Sequence, residues 1–212
     1  MRKIKKSLII ACDGESASGK STAAKLVSKK YKLLLLNSGL LYRYCSKLLL
    51  QNKPKNMISF LRQKLNNISY SKISKLNLHN EEISNHVAII AKNKKLRDLV
   101  NSLQKKIIKS NKRICVEGRD IASKILAKSP RYDLAFYFVC NLNVASYRRW
   151  KDVKKRVSLK EVKDSLKKRT LMDKRRKNSP LVKVKDAILI RTDKLTKKQV
   201  VLKMSKYIDR LN

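Results

Sequence analysis

Short apolar runs alternate with amphipathic stretches along the whole chain, the pattern of βαβ units around a parallel sheet. Ser7–Asp13 reads as a buried strand and Lys20–Lys30 as the helix after it. Leu33–Asn37 predicts a second strand and Gly39–Leu50 a second helix. Asn56–Leu65, Glu81–Ala91 and Lys94–Lys109 have helical spacing, whereas the polar Asn66–Leu78, with interspersed Ile, Tyr and Leu, predicts a small β insert. Ile114–Glu117 is expected as a strand, Ile121–Ala127 as a short helix and Asp133–Cys140 as a strongly apolar strand. Helices from Val144–Val153 and over Ser158–Lys177, a last strand Ala187–Arg191 and a closing helix Thr196–Leu211 complete the pattern. Five buried strands with helices between them predict a three-layer α/β fold built on a five-stranded parallel sheet.

Composition narrows this picture without changing it. A chain of 212 residues with 42% hydrophobic residues can bury a real core, so disorder is excluded despite 33% charged residues. Gly 4 and Pro 3 exclude a linker-rich or collagen-like architecture. No apolar run approaches the ~20 residues of a membrane span. The basic start Met1–Lys6 precedes only Ser7–Cys12 before Asp13, too short for the core of a signal peptide. Cys12, Cys45, Cys115 and Cys140 lack CxxC spacing and sit mostly in apolar runs, the usage of reduced cysteines in a cytoplasmic protein. Lys+Arg 54 against Asp+Glu 15 gives a net charge of +39, spread from end to end. That excess suits any anionic partner and selects none.

Chemistry enters at Gly14-Glu15-Ser16-Ala17-Ser18-Gly19-Lys20-Ser21, followed by Thr22, which fits the phosphate-loop pattern between a strand and a helix. Its glycines let successive N–H groups turn toward phosphate oxygens, and the helix N-terminus adds a positive dipole end. Lys20 is placed to reach the β- and γ-phosphates, and Ser21 or Thr22 to ligate Mg²⁺. Glu15 is expected to point to solvent, away from a triphosphate. Asn37-Ser38-Gly39-Leu40-Leu41-Tyr42-Arg43 and Glu117-Gly118-Arg119-Asp120 follow strands, where open α/β sheets bind ligands. Arg169, Asp173 and Arg176 are spaced by four and three, one helical face on which a carboxylate can align two guanidiniums for phosphate. His79 and His86 lack the neighbours of a metal site, and Trp150 reads as a packing residue.

Taken in order, the G-E-S-A-S-G-K-S-T loop, N-S-G-L-L-Y-R, E-G-R-D and R-x₃-D-x₂-R followed by Ser179-Pro180-Leu181 resemble bacterial cytidylate kinase, a P-loop nucleoside monophosphate kinase family. The resemblance runs from about Ile9 to the C-terminus and is weakest across Gln51–Leu78. It implies one kinase domain over 1–212, with a core of 1–50 and 92–212, an acceptor-binding insert at about 51–91 and a lid at about 150–175. Gly14–Thr22 would hold ATP with Mg²⁺, and Ser38, Tyr42 and Arg43 would border the acceptor monophosphate. Leu96-Arg97 with Gln104 resembles the family's V-R…Q helix, so Arg97 would face the acceptor. Arg119 would contact phosphate, Asp120 would help read cytosine, and Arg169 and Asp173 would hold the sugar, with Arg176 nearer the transferring phosphate. Lys20, Arg119 and Arg176 would carry catalysis, and Arg148 and Arg149 would lead into the lid.

The implied reaction moves the γ-phosphoryl group of ATP to CMP or dCMP, by a monomeric cytoplasmic enzyme with no membrane or specific nucleic-acid partner. The family usually has Pro at Glu15, Gly at Ser21, Asp at Asn37 and commonly Asp at Glu117. Ala88 stands where a Ser hydroxyl commonly bonds the cytosine, and a missing partner weakens base discrimination by ~1–3 kcal/mol. UMP, AMP or a small metabolite is therefore the alternative acceptor. A basic nucleic-acid-binding P-loop ATPase is the reading from another class, and a catalytically poor homologue a third.

Overall fold

The computed structural model describes residues 6–66 and 68–211; most of the basic start, Met1–Lys5, lies outside them, as does Asn67 within the expected β insert. The chain divides into two compact units, one made of the chain up to Leu36 and from Lys112 onward, the other of Asn37–Asn111.

The first unit is built on a five-stranded sheet of β1 (Leu8–Gly14), β2 (Leu34–Asn37), β3 (Arg113–Glu117), β4 (Leu134–Val139) and β5 (Ile188–Arg191), in the order β2-β3-β1-β4-β5. β1 is central and pairs in parallel with β3, setting Cys12 opposite Glu117, and with β4, setting Asp13 opposite Tyr137. Side chains alternate across a strand, so β1 divides its work between two faces. Leu8, Ile10 and Cys12 point into the main core with Phe136 and Phe138 of β4 and Ile190 of β5. Two helices close that face: α1 (Lys20–Lys30) through Ala23, Ala24 and Val27, and the closing helix (Lys197–Ile208) through Val200, Met204 and Ile208. The other face of β1 carries Ala11 and Asp13, both buried.

Among the described residues, the regular structure of the second unit beyond Asn37 is helical: α2 (Ser38–Asn52), α3 (Met57–Asn66), α4 (Tyr70–Ser74), α5 (Glu81–Ile90) and α6 (Lys94–Lys109). The β insert expected over Asn66–Leu78 is therefore corrected to a short helix followed by coil. Tyr70 and Ile73, three apart, are both buried, which is helical and not strand spacing. The surrounding Ser and Asn residues hide that period. The asparagines have work of their own: the side chains of Asn37, Asn80 and Asn93 cap α2, α5 and α6 by accepting from backbone N–H groups.

Returning to the first unit, α7 (Leu142–Asp152) and α8 (Leu159–Arg175) pack on each other through Ala145, Val162 and Leu166, with Trp150 partly buried against them. The indole N–H of Trp150 donates to the carbonyl of Val157 at 2.9 Å, so its role is packing and anchorage of the connecting loop. Ser158 opens α8 with a capping box closed by Glu161. The closing helix is α9. The short helix expected at Ile121–Ala127 is a single π-helical turn, Ile121–Ile125.

Candidate active site

The loop between β1 and α1 is shaped by its neighbours before any ligand enters. A side chain at Gly14 would place its Cβ 2.4 Å from the carbonyl oxygen of Phe138, so only glycine passes beside β4 there. Gly19 has φ +79, the left-handed conformation that lets α1 start at Lys20. Ser18 donates its hydroxyl to the Glu15 carbonyl at 2.9 Å, and the Ser18 carbonyl accepts from Thr192 Oγ1 at 3.0 Å. Ser16, Ser18 and Lys20 are buried and Ala17 partly so, while Gly19, Ser21 and Thr22 are exposed.

Lys20 Nζ lies 2.7 Å from Glu117 Oε2, and Ser21 donates its hydroxyl to the same oxygen at 2.6 Å. Burial works to raise the Glu117 carboxyl, but the ammonium of Lys20 and the two hydrogen bonds outweigh it and hold the group below the ordinary carboxylate range. Glu117 therefore stays ionised and oriented beside the lysine of the loop. A hydroxyl and an ionised carboxylate are hard oxygen donors, a set that fits Mg²⁺ brought by a nucleotide. Among the described residues no cluster of His, Cys, Asp and Glu could hold a metal by itself.

A second buried acid, Asp13, accepts from the backbone N–H groups of Ile121 at 2.9 Å and Ala122 at 2.8 Å. The carboxylate thus ties the end of β1 to the turn after Gly118-Arg119-Asp120. Desolvation pushes its pKa up to about 6, with the two N–H bonds opposing.

Two guanidiniums of this unit meet on Asp173. Arg119 Nε donates to Asp173 Oδ2 at 2.8 Å, and Arg176 Nη1 approaches Asp173 Oδ1 at 3.4 Å. Arg176 also stands 3.9 Å from Asp120, and its Nε donates to the carbonyl of Ser179. Arg176 lies just beyond α8, in extended backbone, so it reaches Asp173 from the following loop and not from the expected helical face. Arg169 is exposed on α8. Arg148 donates to the carbonyls of Thr192 and Asp193 at 3.0 and 3.1 Å, bracing the loop after β5, and Arg149 is exposed on α7.

Glu15 does not point freely to solvent as expected: its Oε1 receives Lys174 Nζ at 2.6 Å, from α8. The same helix presents Thr170 Oγ1 to the Ser16 N–H at 3.4 Å. Thr170, Asp173 and Lys174 are three and four apart, one face of α8 directed at the loop and at Arg119.

In the second unit, Ser38 and Tyr42 are buried on α2, and Arg97 of α6 is buried with its guanidinium 5.8 Å from the centre of the Tyr42 ring. Arg43 donates to Ser84 Oγ at 2.8 Å and to the carbonyl of Leu78 at 3.2 Å. Ala88 is exposed on α5, and His86 bonds Ser46 Oγ at 3.0 Å, a structural contact. All four cysteines are free, with Cys12 and Cys115 apposed at 3.7 Å across β1 and β3.

Residues 10–210 match the family model for cytidylate kinase. The chain belongs to the cytidylate kinase family. It is 33% identical to the cytidylate kinase of Clostridium tetani, covering 95% of this chain and 94% of that one. The cytidylate kinase of Clostridium botulinum is 31% identical, over 95% of this chain and 97% of its own. A gluconokinase from Sinorhizobium meliloti shares the fold, with a TM-score of 0.54 at 12% identity, over 99% of this chain and 95% of that one. The protein is accordingly a kinase with the α/β P-loop fold, an enzyme of ATP-dependent phosphoryl transfer. No helix among the described residues is long and apolar enough to cross a membrane.

Within a cytidylate kinase framework, several residues escape a reading of motifs. Glu117 was visible as part of E-G-R-D, but its contacts with Lys20 and Ser21 were not. Asp13 carries no signal beyond a lone acid at the end of an apolar run. Thr170 and Lys174 stand among so many polar and basic neighbours that only the path of α8 singles them out.

Proposed function

We propose that this kinase transfers the γ-phosphoryl group of ATP to CMP or dCMP, giving ADP and CDP or dCDP. The observation that carries the donor half is the buried Lys20–Glu117 pair, joined by the exposed Ser21 through its hydroxyl, at the mouth of the loop. Gly14–Thr22 hold ATP, with Lys20 on the β- and γ-phosphates and Ser21, or Thr22 beside it, toward Mg²⁺. Mg²⁺, held there through the hydroxyl of Ser21 or Thr22, would supply neutralisation of the negative charge on the phosphates. Glu117 releases Lys20 to phosphate and orients the hydroxyl of Ser21.

The acceptor half rests on arginines held in place by protein partners. Arg119 and Arg176, aligned by Asp173, face the phosphates of the reaction, with Asp120 beside them reading the base and Arg169 with Asp173 on the sugar. In the second unit, Ser38, Tyr42, Arg43 and Arg97 serve the acceptor nucleotide. The second unit includes the proposed acceptor-binding insert, about 51–91, and α8 lies within the proposed lid, about 150–175, entered past Arg148 and Arg149. No general base is needed, since an acceptor phosphate is already ionised near neutral pH. Preorganised cations around two mutually repelling polyanions supply the acceleration. We take the enzyme to act as a cytoplasmic monomer.

Ala88 bears on base choice. It offers no hydroxyl, and its exposure on α5 favours relaxed discrimination between CMP and UMP. Purified protein supplied with Mg-ATP and a panel of nucleoside monophosphates decides the matter by ADP release. CMP and dCMP are expected to be turned over fastest, with UMP within about tenfold, the discrimination one hydrogen bond supplies. Release of ADP with AMP or a metabolite alone would overturn the acceptor assignment.

A further inference from the structure

Glu15 is the residue of the loop that phosphate chemistry accommodates least. It brings a carboxylate into a segment whose N–H groups and lysine are there to receive a polyanion. It cannot swing aside with its backbone, because its N–H donates to the carbonyl of Phe138 at 3.0 Å and its carbonyl accepts from Ser18 Oγ at 2.9 Å. The side chain is only 21% exposed, with Lys174 Nζ on it at 2.6 Å.

An isolated surface ion pair contributes little to stability. This pair stands in a row of contacts between one face of α8 and the loop region. One turn earlier, Thr170 accepts from the Ser16 N–H at 3.4 Å, and Asp173 holds Arg119, whose other nitrogen is 3.4 Å from Ser16 Oγ. Lys174 therefore brings its charge to Glu15 wherever α8 is seated on the loop. With the lysine in place the pair is neutral; without it the loop bears an unbalanced negative charge close to the nucleotide phosphates.

We propose that Lys174 is a positioning residue for ATP: it neutralises Glu15 inside the phosphate loop and so makes ATP affinity depend on the seating of α8. The inference rests on the reading of ATP as the donor held by residues 14–22. It makes a prediction that a merely structural pair does not, because affinity then follows the charge left at the site and not the integrity of the contact. The wild type and the double variant E15Q/K174Q leave no net charge, K174Q leaves one negative charge, and E15Q one positive charge.

Calorimetric titration of Mg-ATP into the full chain, without acceptor, reads this directly, with thermal melts to establish that each variant is folded. K174Q is expected to weaken binding by roughly threefold to tenfold, the effect of one unbalanced charge near a triphosphate in a largely aqueous surround. E15Q tightens binding, and E15Q/K174Q returns it to within about twofold of wild type. Added salt narrows the spread between the single variants. Equal weakening in all three variants, or an unchanged affinity in K174Q, overturns the inference while leaving the donor reading intact. Wild-type protein that takes up no Mg-ATP overturns the donor reading and this inference with it.

Discussion

At the scale of single residues, two buried acids under the phosphate loop are held in opposite states of ease. Glu117 has a cation and two hydrogen bonds, which outweigh its burial, and stays ionised. Burial outweighs the two backbone N–H donors and the weaker pull of Lys20 on Asp13, raising its pKa from 3.8 to about 6. A carboxyl that binds its proton more tightly when folded stabilises the native state below pH ~4, and that contribution is lost as pH rises through about 6. Asp13→Asn removes this titration. The stability of wild type relative to the variant should thus fall between about pH 4 and 6, by at most about 3 kcal/mol, and level off above. Urea unfolding of both proteins across that range measures it; a parallel pair of curves would show that Asp13 does not titrate there. Neither state was legible in the sequence. The partners of Asp13 lie 108 and 109 positions away, and those of Glu15 and Glu117 are as remote.

Elements were far more legible than contacts, because an apolar period is a local signal and a salt bridge is not. β4 reads as an unbroken apolar run and is buried on both faces, so the strand follows directly. α4 was lost because only two of its five residues are buried and the rest are polar. α8 was visible as a helix, yet which of its faces mattered was not. Its inner side is a small core of Ala145, Val162 and Leu166, separate from the main core under the sheet. The contacts of Thr170, Asp173 and Lys174 depend on that patch. Leu166→Ala should cost about 2–4 kcal/mol locally. Its effect belongs to α7 and α8 and not to the whole fold. Amide hydrogen exchange should therefore quicken across α8 while β1 keeps its protection; equal acceleration in both would show a single cooperative unit.

For the whole molecule, the excess of positive charge acquires a modest and specific meaning. A few basic residues (Lys20, Arg43, Arg97, Arg119, Arg176) are buried or bonded in place, whereas most lysines lie exposed over the surface of both units. Those dispersed exposed charges draw anionic substrates inward. kcat/KM for the nucleotides should fall several-fold as ionic strength rises from roughly 20 to 200 mM, with kcat at saturation almost unchanged. A flat dependence would mean that the surplus does not steer substrates. The strand order β2-β3-β1-β4-β5 has a consequence for synthesis on the ribosome. β1 and β2 emerge first, yet they are not neighbours, and each waits for β3 to pass between them. No two adjacent strands exist until Glu117 has been made, by which time all of Asn37–Asn111 has left the peptidyl transferase centre. The helical unit can gather its own core during that interval, and the sheet that carries the phosphate loop is assembled afterwards around a strand made earlier.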